Sequence, residues 1–188
     1  MTKATKVLAL ALIAALCLSL LSILAVDALN AALRHRREQL YYHQVLLAAA
    51  EFDVPAPLIL AVIRTESDFR PRAMSSAGAI GLMQLLPDTF TDVGERLLQE
   101  SSDDIQIYTP SVNIRYGTCY LSYLYRQFGD WETALAAYNA GEGRVRTWLA
   151  DKTLSPEGDL LTIPYPETAR YVQSVLHALA YYRDKYNF

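Results

Sequence analysis

Cysteine is nearly absent from this 188-residue chain, which has only Cys17 and Cys119. The first lies in an apolar run and the second in a helical pattern, so no disulfide framework is implied. Cys119 reads as a small core residue. Leu16 precedes Cys17 where a bacterial lipoprotein signal needs a small residue. Histidine is equally scarce. His35, His43 and His177 are scattered and match no metal-ligand spacing, so no metal and no cofactor is expected. A nucleophile elbow, a P-loop and a Rossmann fingerprint are all missing. Period-two alternation is almost missing too, and no internal repeat is visible, which argues against a β-rich fold. Basic residues run short after the N-terminus. Residues 38–188 carry 12 Lys+Arg against 19 Asp+Glu, a net charge of −7. That balance makes nucleic acid and anionic lipid surfaces poor partners, and points to a ligand held by hydrogen bonds and stacking.

Lys3 and Lys6 precede a stretch from Val7 to Val26 that has no charge. About 20 apolar residues cross a bilayer core, whereas the apolar region of a cleavable signal runs to about 7–15. The expected organisation is a signal anchor with its linker over residues 1–37 and one domain over 38–188, long enough to bury a core. The alternative is a long signal peptide cut after Ala28, with Val26-Asp27-Ala28 as a loose cleavage site. Lys3, Lys6 and the terminal amine favour an inside N-terminus, opposed by Arg34, Arg36 and Arg37 on the far side; the nearer charges weigh more.

The rest reads as helices between punctuated loops. A basic helical stretch (30–37) leads to an amphipathic helix over 38–51. Pro55 and Pro57 open the next helix, and Pro71 follows its end. Residues 72–81 are small and flexible, a loop. Pro87 suits a first turn, and 101–109 is a polar connection. Thr109-Pro110 caps and starts a helix that Gly129 stops at Phe128. Asp130 caps a short helix to about Asn139, Gly141 and Gly143 break it, and 144–150 is one more. After a loop over 151–164, Pro166 starts a last helix to about Lys185. The domain is expected to be all-α, with its loops free to line a groove.

Within PAPLILAVIRTESDF (55–69), Glu66 shares a helix face with Ile59, Val62 and Ile63. A carboxylate among core residues loses solvation, which raises its pKa and suits it to donating a proton near neutral pH. A half-exposed or Arg-paired glutamate at a helix end is the plainer alternative.

Four ordered segments carry a resemblance. They are Glu66-Ser67 closing an apolar helix, SSAGAIGLMQLLPDTF (75–90), NIRYGTCYLSYL (113–124) with FGDWETALAAYNAGEGRV (128–145), and IPYPETARYV (163–172). Together they resemble the Slt-type lytic transglycosylase catalytic domain, of the goose-lysozyme-like fold, over about residues 41–186. GLMQ and AYNAG are the most specific parts. The resemblance implies a substrate, the glycan strands of bacterial peptidoglycan. It implies cleavage of the β-1,4 bond between N-acetylmuramic acid and N-acetylglucosamine with closure of a 1,6-anhydro ring. It also implies a bacterial envelope location, inner-membrane anchored through residues 7–26 with the domain in the periplasm, or secreted there if the signal is cut.

Carried over by residue, Glu66 matches the single catalytic acid/base, and the substrate's acetamido group takes the place of a second carboxylate. Asp68 points elsewhere and reads as a solvated helix-end charge. Ser67 matches a residue bonding near the acid or the sugar, and Gln84 one bonding sugar or site backbone. Tyr120 and Tyr138 match groove walls, although spacing alone reads both as core. Asn139 either ends its helix or orients the site. Glu167 matches a second negative group that helps keep Glu66 protonated, or simply favours a helix first turn. Gly78 and Gly81 let backbone approach the groove. Three positions depart from the family pattern. Leu86 replaces a usual Met, Thr109 replaces a frequent Asp but keeps a capping side chain, and Glu142 replaces a common Pro and loosens a turn. Three functions stay open: the transglycosylase, a lysozyme on the same fold, and a non-catalytic peptidoglycan-binding scaffold of an envelope-spanning secretion, conjugation or pilus complex.

Overall fold

The computed structural model describes residues 2–100, 104–157, 160 and 162–187. The expected connection at 101–109 and the loop at 151–164 therefore each lie partly outside the described residues. Two compact units are present, Met1–Gln39 and Leu40–Phe188. Among the described residues there is no strand, only isolated bridges pairing Met74 with Ile80 and Ile80 with Leu85.

Helix α1 runs unbroken over Lys3–Phe52, where separate basic and amphipathic helices were expected. The stretch from Val26 to Glu51 holds neither Pro nor Gly, so nothing in the backbone stops it. It is the one described helix long and apolar enough to cross a membrane. In the second unit its Val45 and Ala48 are buried.

Helix α2 (Ala56–Ser67) is the centre of the second unit. Ala56 through Ile63 are all buried, eight consecutive residues rather than one face. A helix apolar on every side has to sit inside the core. Pro55 and Pro57 start it where missing N–H groups cost nothing. Helix α7 (Pro166–Tyr186) packs along it, and α4 (Pro110–Phe128), α5 (Trp131–Ala140) and α6 (Glu142–Ala150) contribute to the same core. Asp130 caps α5 as expected, its carboxylate accepting the Thr133 N–H at 2.8 Å. Thr109 stands at the N-cap of α4 but its side chain makes no cap bond. Glu142 does not loosen a turn. It begins α6, where it accepts from Arg146 at 2.6 Å and from the Tyr123 hydroxyl at 3.3 Å.

Short helix α3 (Pro87–Asp92) continues into a π-helical turn, Val93–Leu98, and a 3₁₀ turn spans Asp104–Tyr108. Beneath them lies a second small core of Ile80, Leu85, Phe90, Val93, Ile107, Tyr116 and Cys119. Phe90 stacks on Tyr116 at 4.3 Å. Cys119 is buried, and desolvation lifts its thiol pKa to about 11.

Candidate active site

The segment expected to be a flexible loop is knitted to itself. Ser75 N–H donates to the Ala79 carbonyl at 2.9 Å, Gly81 N–H to Ala73 at 2.9 Å, and Ile80 and Leu85 exchange both backbone bonds. Buried Asn113 of α4 locks this turn from below. Its amide oxygen accepts the Met83 N–H at 2.8 Å, and its NH2 donates to the Ile80 and Ile107 carbonyls, each at 3.0 Å. Gly81 has φ +87°, and a Cβ there would drive into the Asn113 amide. Its bareness serves this packing as well as any approach to the groove.

Against this turn the chain opens a cavity of about 580 Å³. Its walls bring together Glu66, Gln84, Tyr120, Tyr138, Asn139 and Glu167 from five separate stretches of sequence. Ser67 is the expected site residue that stays away. It is 1 % exposed, and its hydroxyl donates to the Leu82 carbonyl at 2.8 Å, with the Ile63 carbonyl also in reach at 3.1 Å. One helical step turns a side chain by about 100°, so Ser67 cannot share the cavity with Glu66; it ties α2 to the GLMQ turn instead. Asp68 caps α2 in the left-handed region and is half-buried, not freely solvated.

Gln84 spends its amide donors on the site backbone, bonding Ala73 at 3.1 Å and Gly81 at 2.9 Å. The Tyr138 hydroxyl donates to the Met83 carbonyl at 2.8 Å. Tyr120 leans against Tyr138 at 5.5 Å and lies nearly parallel to Tyr123 at 6.4 Å. Asn139 and Glu167 are exposed on the rim, and Leu86, 43 % exposed, lines one wall.

Glu66 is half-buried, and desolvation raises its pKa from 4.5 to about 7. Burial is the cause of that rise; Glu167, exposed on the rim, is not among its causes. Tyr171 of α7 pulls the other way, lowering the Glu66 pKa. Its buried hydroxyl meets no other described group, and its interaction with the carboxyl favours the Glu66 anion. Burial, and after it the Glu66 charge, pushes the Tyr171 and Tyr138 phenols well above their ordinary range.

Asn113, Tyr171 and Arg144 escaped the sequence reading. A lone Asn in the apolar start of α4 was the available sign for the first. Tyr171 follows Glu167 by one helical turn, which puts it on the same face. Arg144 is the one basic residue lining the cavity among the described residues, held by a 2.9 Å bond to the Ala140 carbonyl and by the Tyr165 ring at 5.2 Å. Among the described residues no group of three metal-ligating side chains converges. The arrangement offers one carboxyl able to give or take a proton near neutral pH, inside an aromatic-walled cleft.

The family model described as "Transglycosylase SLT domain" matches residues 45–157. The chain is 41 % identical over 135 residues to the soluble lytic murein transglycosylase of Escherichia coli, covering 70 % of this chain and 21 % of that protein. It is 35 % identical over 172 residues to the membrane-bound lytic murein transglycosylase C of Yersinia pestis, covering 79 % and 48 %. The lytic transglycosylase Slt of Pseudomonas aeruginosa, solved as an inactive mutant, superposes with a TM-score of 0.68 at 38 % identity, over 77 % of this chain and 24 % of that one. The 70 kDa soluble lytic transglycosylase of Escherichia coli gives 0.67 at 38 %, over 76 % and 24 %. The chain thus spans about a fifth of the soluble relatives and about half of the membrane-bound one.

Proposed function

Because this chain belongs to the transglycosylase SLT domain family, we propose that residues 38–188 are a peptidoglycan lytic transglycosylase, held at the inner membrane by residues 7–26 with the domain in the periplasm. It cleaves the β-1,4 bond between N-acetylmuramic acid and N-acetylglucosamine. The observation that carries this reading is Glu66, whose pKa of about 7 is set by burial in the cavity wall. Protonated Glu66 gives its proton to the glycosidic oxygen as the C1–O bond breaks. The acetamido group of the muramic acid supports the charge that develops at C1. Glu66, now a carboxylate, removes the proton from the C6 hydroxyl as that oxygen bonds C1 and closes the anhydro ring. One proton leaves Glu66 and one returns, so no water is consumed. A group whose pKa lies at the working pH serves both steps.

Tyr120 and Tyr138 wall the sugar groove, Gln84 holds the turn that shapes it, and Asn139 and Glu167 contact the glycan from the rim. Ser67 acts by fixing α2 against Leu82 and does not touch sugar. Tyr171 biases the Glu66 proton. The role in the cell is wall turnover or a local opening for an envelope-spanning apparatus.

Mass spectrometry of peptidoglycan digested by the protein tests this. Products ending in 1,6-anhydro-muramic acid are expected. Glu66→Gln is expected to lower their yield by about 10²–10⁴-fold, the range for loss of a general acid/base. Products with reducing ends make the protein a lysozyme, and a folded sample giving no cleavage makes it a scaffold.

A further inference from the structure

A second concavity of about 570 Å³ lies across the same pair of helices as the cavity, α2 and α7. Arg64 and Thr65 line it from α2, and Arg170, Gln173, Ser174 and His177 from α7. Among the described residues no carboxylate lines it, in a unit whose acidic residues outnumber its basic ones. Arg96, Arg115 and Arg146 are each paired with carboxylates. Arg64 and Arg170 have no such partner among the described residues. Arg64 is instead laid over the Tyr181 ring at 4.9 Å and the Tyr182 ring at 5.9 Å. Stacking fixes a guanidinium in place while leaving its N–H donors unspent. The two hydroxyls are spent on the backbone of their own helices, Thr65 donating to the Ala61 carbonyl at 2.9 Å and Ser174 to the Arg170 carbonyl at 2.8 Å. The donors facing outward are thus guanidinium, imidazole and the Gln173 amide. That set matches carboxylates, which a guanidinium fork takes two oxygens at a time.

We infer that this groove binds the carboxylate-bearing peptides of peptidoglycan, outside the cleavage cavity. The inference rests on the proposed substrate. Thr65 and Glu66 are consecutive, and Arg170 is one turn past Glu167, so cavity and groove are built on adjoining stretches of the same two helices. The groove would hold the domain on wall that still carries its peptides.

The test uses the full chain carrying Glu66→Gln in detergent micelles, so that binding is read without cleavage. It is titrated calorimetrically with the tripeptide L-alanyl-γ-D-glutamyl-meso-diaminopimelate. Saturable binding is expected, weakened about tenfold or more by Arg170→Glu, by His177→Glu, or by converting the carboxylates of the tripeptide to amides; tenfold corresponds to about 1.4 kcal/mol. Neither residue belongs to the cleavage machinery. Equal binding by both variants, or by the amidated peptide, overturns the groove. Inorganic phosphate that binds more tightly than the peptide overturns the assignment to peptide carboxylates. Arg170→Gln, which removes charge without reversing it, decides the matter if the Glu variant does not fold. Failure of the wild-type chain to make anhydro products, with peptide binding intact, would instead count against the proposed reaction.

Discussion

Glu66 lies between two costs, and its titration makes both measurable. Its pKa in the folded chain is about 7, against 4.5 ordinarily, because burial disfavours the charged form. Stability tied to this group is therefore fully present below about pH 4.5, where the carboxyl is neutral folded or unfolded. It is lost as pH rises through about 7, because the unfolded chain ionises more readily than the folded one. The loss is on the order of 3 kcal/mol. Glu66→Gln keeps the shape and removes the titration. The variant should melt higher than the wild type at pH 8, and the difference should vanish by about pH 4.5. Melting curves at the two pH values check this. A variant no more stable at pH 8 would mean that Glu66 ionises without penalty, which would remove the physical basis for its acid role. Activity carries the same signature, falling as pH rises above about 7 and the proton-donating form disappears.

Among the elements, the turn over 73–85 and the helix α4 beneath it depend on Asn113. Asn113→Ala leaves the Met83 N–H and the Ile107 carbonyl as orphans in a place that water does not reach, while the Ile80 carbonyl keeps the Leu85 N–H. Each buried orphan costs about 1–3 kcal/mol, so a loss of about 3 kcal/mol or more is expected. That corresponds to a melting point lower by about 6–12 °C. Cleavage should fall too, because Gln84 and the Leu82 carbonyl that anchors Ser67 sit in this turn. A variant with unchanged melting would show that the turn holds by its backbone bonds alone. The same contrast explains what could be read in advance. Pro110, Gly129, Asp130 and Pro166 mark helix ends by local chemistry, and the structure puts ends at or beside all four. Glu66 stood out because a charge among Ile59, Val62 and Ile63 is anomalous within one helix. Asn113 meets Met83 across 30 residues, and Ser67 meets Leu82 across 15. No spacing rule reports such pairings, so the turn looked flexible and Ser67 looked like a sugar contact. A change of composition from apolar to basic suggests a division within α1, yet the backbone responds to breakers, and there are none.

For the whole molecule, the proposed attachment to a membrane is a matter of apolar area rather than charge. Residues 38–188 are net negative, and an anionic surface repels them. The segment 7–26 is the opposite case. Uncharged and part of one continuous helix, it gains from hydrocarbon whatever the ionic strength. These two facts separate the open readings of the N-terminus. An uncleaved anchor leaves the protein in the membrane fraction after a wash with about 1 M salt, where electrostatic contacts reach only about 3 Å. Intact mass then gives the full 21.1 kDa. A signal peptide cut after Ala28 gives a soluble chain that begins at Leu29 and lacks those 28 residues. The anchored form is expected, because an uncharged run of this length exceeds the about 7–15 residues of a cleavable signal. Recovery of the shorter chain in the soluble fraction would remove the anchor from the proposal while leaving the cleavage chemistry of Glu66 as it stands.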